Sequence, residues 1–271
     1  MTPSIFGILN VTDDSFSDGG RHRDPDAALA HAVRLAADGA DVIDVGPASS
    51  RPGATPVTSA EEIRRIDALV DGLHAAGLVV SIDSPQAETQ RFGLARGVAW
   101  LNDIRGFPDP AMYPSLASHP TRLVVMHQVG TAATADRIAP TDVLTSIDRF
   151  FASRLPALEA AGIARERLVI DPGMGMFLGG DTEASLAVLR EIPALRRRFG
   201  LPILVSVSRK SFLRRLTGRS LDAIGPATLA AELWVALQGT SFIRTHEPRQ
   251  LTDALSIWNR LLTSESEARS V

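Results

Sequence analysis

Short apolar runs alternate along the chain with longer segments in which apolar residues recur every three or four positions. The short runs are rich in β-branched residues and predict strands over residues 5–9, 42–45, 79–82, 100–101, 123–126, 168–170, 203–207 and 242–244. The longer segments predict helices over residues 27–37, 60–75, 85–96, 110–118, 143–161, 182–198, 226–238 and 249–262. Apolar strands that alternate with helices are typical of a parallel sheet covered on both faces. The pattern therefore predicts an α/β protein.

The number of alternations indicates which α/β fold to expect. Eight strand and helix units within 271 residues favour a TIM (β/α)₈ barrel. The run at residues 100–101 is poorly defined, so an open, doubly wound sheet stays an alternative. No linker or change of composition divides the chain, and we place a single barrel domain at residues 1–262. The polar residues 263–271 are predicted to form a disordered tail.

Composition and charge exclude several classes of function. The chain has 28 basic and 31 acidic residues, a net charge of -3, which argues against a nucleic-acid or anionic-membrane binder. It has no cysteine, so disulfides, thiolate metal sites and a thiol nucleophile are excluded. The N-terminal residues form neither a signal peptide nor a membrane span. We therefore expect a cytoplasmic protein.

The use of basic residues is unusual. Of the 28 basic residues, every one but Lys210 is an arginine. A drift of composition towards arginine that spared Lys210 by chance is one explanation. The other is that position 210 requires a compact ammonium group, which a planar guanidinium cannot replace.

The residues that follow the predicted strands suggest a functional pocket, because barrel active sites are built where strands end. Polar residues there are Asn10, Ser49, Asp83, Asn102, His127, Asp171, Lys210 and His246. A single such residue is more often a helix cap or a turn residue. Because all of them converge on one rim of the predicted barrel, we expect them to line a site.

These residues divide into two chemical sets. Asp83, Asn102, Asp171 and Lys210 supply acceptors and donors suited to a flat heterocycle with amino, amide and ring-nitrogen groups. Arg51, Arg244 and His246 suit an anion. Asn10 is either a Mg²⁺ ligand, with water and phosphate oxygens completing the shell, or a turn residue.

Common nucleotide motifs are absent. Residues 173–179 read GxGxxxG and have no ribose-binding acid at the expected distance, so they do not predict a dinucleotide site. Lys210 follows Ser208 and Arg209 rather than a glycine-rich loop, which excludes a P-loop. Residues 13–20 lack the ligand spacing of a calcium loop, and their Gly and Ser content suggests a lid beside Asn10.

Motifs in order along nearly the whole chain resemble those of the dihydropteroate synthases. They lie at residues 7–12, 14–20, 49–54, 102–104, 171–175, 208–211 and 244–246. Residues 46–50, 171–177, 205–213 and 245–248 are similar in particular to the mobile, sulfonamide-resistance members of that family.

The resemblance implies that the chain joins 6-hydroxymethyl-7,8-dihydropterin pyrophosphate to 4-aminobenzoate and releases pyrophosphate. It implies that the pterin is held by Asp83, Asn102, Asp171 and Lys210 and packed by Ile104 and Met126. Mg²⁺ would be bound by Asn10, and the pyrophosphate by Arg51, Arg244 and His246. The aminobenzoate would be bordered by Ser50, Pro52, Ser208, Arg209 and Lys210. A homodimer is also implied.

The sequence departs from the usual family pattern at three places. Asp13 replaces a common proline, and Pro47 and Ala48 replace Gly and Glu. Met176 and Phe177 stand in the loop where the family usually has Phe and Gly, so the aminobenzoate end of the pocket should differ. We expect Phe177 to exclude bulky sulfonamides from that end, unless it packs into the barrel rim as an ordinary apolar residue.

Two other functions stay open at this point. One is a pterin-binding methyltransferase domain of a cobalamin-dependent enzyme, although the residues at 208–211 and 244–246 suit an anionic leaving group better. The other is a pterin-binding protein without catalytic activity.

Overall fold

A computed structural model describes residues 2–12, 25–49, 53–130 and 139–268, and side chains as far as residue 262. Eight parallel strands form one sheet: β1 (Ser4–Asn10), β2 (Val42–Gly46), β3 (Val80–Asp83), β4 (Trp100–Asp103), β5 (Arg122–Met126), β6 (Leu168–Asp171), β7 (Leu204–Val205) and β8 (Phe242–Thr245). Their order is β6-β5-β4-β3-β2-β1-β8-β7. A parallel bridge between Ile170 and Ile203 joins the two outer strands. The sheet is therefore a barrel, as predicted, and not a doubly wound sheet.

Helices cover the outside of the barrel. They are α1 (Pro25–Ala37), α2 (Ser59–Ala75), α3 (Ala87–Ala95), α4 (Tyr113–Ala117), α5 (Val143–Ala160), α6 (Thr182–Phe199), α7 (Ser211–Thr217), α8 (Gly225–Leu237) and α9 (Pro248–Ala268). Helix α7 lies in a segment for which no helix was predicted. Helix α9 continues six residues past the predicted domain end at Leu262. The polar segment after Leu262 thus begins as helix, and the domain boundary itself stays a prediction.

Local sequence signals explain where the longer helices begin and end. Helix α6 begins after Asp181, whose carboxylate accepts a hydrogen bond from the Glu183 backbone N–H at 2.7 Å. It ends at Gly200, which adopts the left-handed conformation with φ of 60°. Helix α2 begins after Thr58, whose hydroxyl accepts from the Glu61 N–H.

Apolar side chains fill the barrel interior on the side where the strands begin, and we call this cluster the apolar plug. Its members, one from each strand except β3, are Phe6, Val42, Trp100, Val124, Val169, Leu204 and Phe242. The rings of Phe6, Trp100 and Phe242 meet edge to face, with centroids 5.0 to 5.6 Å apart. Because side chains alternate along a strand, the residues two positions further on also face the interior.

Those next residues form a polar layer above the plug. On β2, β4, β6 and β8 they are Asp44, Asn102, Asp171 and Arg244. Because side chains alternate with a period of two residues, the polar layer lies only about 7 Å above the apolar plug along these strands.

Candidate active site

The predicted heterocycle set lies together in one cavity above the apolar plug. The cavity measures about 380 Å³, including the space open to solvent at its mouth. It is lined by Asp83, Asn102, Ile104, Met126, Asp171, Met174, Phe177, Ser206, Lys210 and Arg244. Met174 and Ser206 were not predicted from the sequence.

Arg244 is the central cation of this cavity. Its Nε donates to the Asp44 carboxylate, and its Nη2 donates to Asp83 Oδ2 at 2.8 Å. Burial by itself would lower the pKa of Arg244, but the charges of Asp44 and Asp83 raise it overall. The guanidinium therefore links β2, β3 and β8, and lies in the part of the site that was predicted to hold the heterocycle rather than the anion.

Asp44 is a site residue that the sequence analysis missed. Its side chain is fully buried, and its Oδ2 receives Arg244 and, at 3.3 Å, the Asn102 Nδ2. The signal was available, because a carboxylate in the middle of an apolar strand has to be paired. Asp44 was missed because only residues at the ends of strands were expected to line the site.

The two predicted carboxyls are held in an environment that disfavours their charge. Burial raises the pKa of Asp171 to about 6, against the opposing effects of the Gly173 N–H and of Lys210. Burial also raises the pKa of Asp83, although Arg244 opposes that shift. Such shifts are frequent at functional sites, because a ligand that supplies N–H donors can replace the missing solvation.

Lys210 is shifted in the opposite direction. Burial and the neighbouring Arg244 lower its pKa to about 8, while Asp171 and Asp83 partly compensate. Its Nζ lies 4.7 Å from the centre of the Phe177 ring, which is cation–π contact distance. The lysine is thus mostly charged near neutral pH, and its ammonium lies in the cavity beside the Phe177 ring.

One wall of the cavity is apolar. Ile104, Met126 and Phe177 form a small buried cluster, and Met176 packs against it from a more exposed position. A flat ring above the polar layer would have this wall beside it.

Residues 173–178 fold into a turn that places Phe177 on this wall. Gly173 has a φ of 77°, and a Cβ there would stand 2.4 Å from the His127 carbonyl oxygen, so only glycine fits. The turn ends in a short 3₁₀ helix, Gly175–Leu178, whose Phe177 carbonyl accepts from the Val129 N–H at 2.8 Å.

The remaining predicted residues lie outside the lining of this cavity. Ser208 Oγ and His246 Nδ1 are 2.9 Å apart, and Arg209 forms an ion pair with Glu247. Asn10 lies half-buried at the end of β1, in register with Gly46. Ser50, Arg51, Pro52 and the predicted lid at residues 13–20 fall outside the described residues.

His127, one of the strand-end residues, joins structural elements and does not line the cavity. Its Nδ1 donates to the Pro172 carbonyl at 3.1 Å, and its Nε2 accepts from the Ser146 hydroxyl at 3.0 Å. Burial lowers its pKa to about 4, so the ring is neutral. It fixes the end of β5 against the loop after β6.

The described residues contain no group of three or more His, Asp or Glu side chains that could hold a metal ion. None of their helices is both long and apolar enough to cross a membrane.

Comparison with known proteins matches this geometry. Residues 6–246 match a family model described as pterin binding enzyme. The chain is 59% identical to dihydropteroate synthase type-2 of Escherichia coli over 254 residues, covering 93% of this chain and 94% of that protein.

Solved structures give the same result. A structure of Xanthomonas albilineans dihydropteroate synthase with 4-aminobenzoic acid is 37% identical, with a TM-score of 0.89, over 96% of this chain and 93% of that one. A structure of the enzyme from the same organism in complex with 7,8-dihydropteroate is 35% identical, with a TM-score of 0.85, over 96% and 94% of the two chains.

Replacing Asp171 by asparagine should stabilise the fold at neutral pH. The carboxyl has a pKa of 3.8 when exposed and about 6 in the fold, so its ionisation destabilises the protein as the pH rises through that interval. An amide oxygen can still accept from the Gly173 N–H. We expect the melting temperature of Asp171→Asn to exceed that of wild type by about 2–6 °C at pH 7.5 and to equal it at pH 4.

The exposed Asp222 provides the control, because Asp222→Asn should change the melting temperature at neither pH. A wild type that is more stable than Asp171→Asn at pH 7.5 would show that attraction to Lys210 outweighs the desolvation of the carboxylate.

Proposed function

We infer that this chain, which belongs to the dihydropteroate synthase family of pterin-binding enzymes, joins 6-hydroxymethyl-7,8-dihydropterin pyrophosphate to 4-aminobenzoate. The products are 7,8-dihydropteroate and pyrophosphate, in folate biosynthesis. The observation that carries the inference is the convergence of Asp83, Asn102, Asp171 and Lys210 on one cavity, in a chain that matches the pterin-binding family from residue 6 to residue 246.

The cavity offers a pterin complementary partners on its edge and its face. The buried carboxylates of Asp83 and Asp171 accept from ring and amino N–H groups, whereas Lys210 donates to ring nitrogens or the carbonyl oxygen. The Asn102 amide can do both, and its buried Oδ1 has no partner among the described residues. Ile104, Met126 and Phe177 cover the apolar face of the ring.

The reaction breaks the C–O bond between the pterin methylene and pyrophosphate and forms a C–N bond to the aromatic amine, which loses one proton. An aromatic amine is a weak nucleophile, whereas pyrophosphate leaves readily once its charge is neutralised. We therefore expect bond breaking to run ahead of amine attack. The Asp83 carboxylate, already paired with Arg244, stabilises positive charge that develops on the pterin.

The anion and the amine are assigned to the mouth of the barrel. His246 and Ser208 lie there in mutual contact, and Arg51 belongs to the same predicted set. Arg244 was predicted for the anion but lines the pterin cavity, so we assign it to holding Asp83 in place. Ser50, Pro52, Ser208 and Arg209 are assigned to the border of the aminobenzoate.

Mg²⁺ is proposed as the cofactor, with Asn10 as its protein ligand. The amide oxygen is a hard donor, and Gly46 leaves room beside it: a Cβ at residue 46 would stand 3.3 Å from Asn10 Oδ1. Since the described residues contain no group of three or more His, Asp or Glu side chains that could hold a metal ion, the donors fit an ion whose other ligands are substrate oxygens and water. When bound, the ion neutralises pyrophosphate charge.

We also propose a homodimer in the cytoplasm, with small molecules as the only other partners and no part for nucleic acid or membrane. Large apolar side chains are exposed on α7, α8 and the segment between them, at Leu216, Leu221, Trp234 and Leu237. Apolar surface of this kind favours contact with a second copy. The cytoplasmic location rests on the sequence alone.

The reaction is tested by following pyrophosphate release from purified protein. We expect release that requires both substrates, and a loss of at least about 100-fold in Lys210→Arg at a melting temperature close to that of wild type. A guanidinium is too broad for the place beside the Phe177 ring, in a cavity that already holds Arg244. Arg209→Lys, a change of the neighbouring exposed cation, serves as the matched comparison and should lose less.

Wild type that binds the pterin but releases no pyrophosphate would contradict the proposed reaction and favour a methyltransferase domain or a binding protein. Near-native turnover of Lys210→Arg would show that the single lysine is an accident of composition.

The assignment of Mg²⁺ is tested by calorimetry with two pterins. Removal of the ion should weaken binding of the pterin pyrophosphate about tenfold or more and leave the bare pterin alcohol unchanged, because only the first ligand offers phosphate oxygens. Asn10→Ala should reproduce the loss in the presence of Mg²⁺. Equal losses of affinity for both ligands would contradict the assignment of Mg²⁺ to this site.

Insensitivity to sulfonamides is the last part of this proposal. The Phe177 side chain is buried in the cavity wall, beside Lys210, a residue assigned to the aminobenzoate border. An aromatic ring at this place narrows the space available to a sulfonyl group and its substituent, whereas the planar carboxylate of the substrate needs less room. Packing with Ile104 and Met126 keeps the ring from moving aside.

Phe177→Gly should gain sensitivity to sulfonamides. At equal saturation with 4-aminobenzoate we expect the inhibition constant to fall by about 100-fold, equivalent to ~2.7 kcal/mol. Phe177→Leu, which keeps apolar bulk without the ring, should lie between the two. Inhibition of wild type at concentrations near the aminobenzoate KM, or unchanged inhibition of the glycine variant, would refute this part.

A further inference from the structure

Helix α8 presents an unusual inner face to the barrel. Its buried residues are Thr228, Glu232 and Val235, so two of the three are polar. Thr228 and Glu232 are four positions apart and therefore lie on the same side of the helix. Both are almost inaccessible, at 3% and 1% exposure. A helix that served only to cover the barrel would place apolar residues there.

Thr228 supports the loop between β7 and α7. The Arg209 backbone N–H donates to the Thr228 hydroxyl at 3.5 Å, a long hydrogen bond. Arg209 needs such support because it adopts the left-handed conformation, with φ of 58°, which is costly for a residue other than glycine. This strained residue separates Ser208 from Lys210.

Glu232 supports the neighbouring end of β8. Its carboxyl lies against the Thr245 hydroxyl, and that hydroxyl accepts from the Glu247 N–H at 3.2 Å. Thr245 is fully buried and its backbone is paired with Gly7 of β1. The Glu232 side chain thus contacts Thr245, the residue that precedes His246 in the turn.

The two supported loops are joined on the side that faces the substrates. Arg209 pairs with Glu247, and Ser208 Oγ receives the His246 backbone N–H at 3.2 Å in addition to its contact with the ring. Thr228 and Glu232 therefore lie behind one connected unit that contains Ser208, Arg209 and His246.

Stability does not explain why an acid stands at position 232. Burial, with a smaller effect from Glu247, raises its pKa to about 8, and its Oε1 has no partner among the described residues. A buried polar group without a full set of partners destabilises a fold compared with an apolar side chain of the same size.

We propose that Glu232 is a positioning residue of the synthase: through the Thr245 hydroxyl it orients the turn that carries His246, and so the anion-binding side of the barrel mouth. This assignment rests on the proposed function of the site. Glu232 itself touches neither substrate.

Steady-state kinetics of three variants test the proposal. Glu232→Leu should raise the KM for the pterin pyrophosphate about tenfold, since a displaced His246 weakens binding of the anion, with a smaller effect on the KM for 4-aminobenzoate. Its melting temperature should equal or exceed that of wild type. Glu232→Gln should restore wild-type kinetics within about twofold, because a neutral amide also accepts from Thr245. Val235→Ala, on the same face, should lower the melting temperature and leave both KM values unchanged.

A second route uses Thr245→Val, which removes the hydroxyl that lies against Glu232. It should show the same selective rise in KM, and the double variant with Glu232→Leu should be no worse than either single one. This measurement also decides the matter if Glu232→Leu does not fold. Wild-type KM values in Thr245→Val, or equal losses for both substrates that follow the melting temperature, would overturn the proposal.

Calorimetry with inorganic pyrophosphate separates this inference from the proposed reaction. If wild type is active and Glu232→Leu binds pyrophosphate as wild type does, only the role of Glu232 is wrong. If wild type releases no pyrophosphate from the substrates, the reaction is wrong, whereas a selective loss of pyrophosphate binding in Glu232→Leu would still support the positioning role.

Discussion

The ion pairs of Arg244 inside the barrel determine how the rest of the site can be arranged. One guanidinium meets the carboxylates of Asp44 and Asp83, on two strands, within a region shielded from water. In such surroundings an unpaired charge is strongly unfavourable, so the three groups have to be kept together. Because the positive charge of Arg244 balances the Asp83 carboxylate, a second buried carboxyl, that of Asp171, can lie in the same cavity. Without that cation only Lys210 would balance the charges of Asp44, Asp83 and Asp171.

The apolar plug below makes this arrangement possible. Phe6, Trp100 and Phe242 fill the barrel to the level of the charged layer and exclude water from beneath it. Arg244 follows Phe242 by two positions on β8, just as Asn102 follows Trp100 on β4. The same alternation of side chains that forms the apolar plug therefore directs the polar groups into one cavity. The cavity opens where hydrogen-bond donors of a ligand can replace the solvent that the carboxylates have lost.

The sequence predicted the barrel and most of the cavity, because both depend on short-range patterns. Asp83, Asn102 and Asp171 follow apolar runs, and the ends of parallel strands meet at one rim. Asp44 and Glu232 escaped notice because one lies within a strand and the other within a helix, and their burial depends on tertiary packing. The direction of Arg244 also could not be predicted: its long side chain turns to Asp44 and Asp83, and nothing in the local sequence distinguishes that direction from the mouth. Helix α7 was missed because it is only seven residues long.

The single lysine becomes intelligible from its neighbours. Lys210 lines the same cavity as Arg244, and burial together with repulsion between the two cations lowers its pKa to about 8. A second guanidinium would carry a permanent charge and need a wide planar space, yet the Phe177 ring and a left-handed Gly175 lie against the lysine stem. An ammonium is more compact, and the nearby carboxylates of Asp171 and Asp83 partly balance its charge. The cavity therefore favours the interpretation that position 210 requires a lysine, in a sequence that otherwise uses arginine for every basic residue.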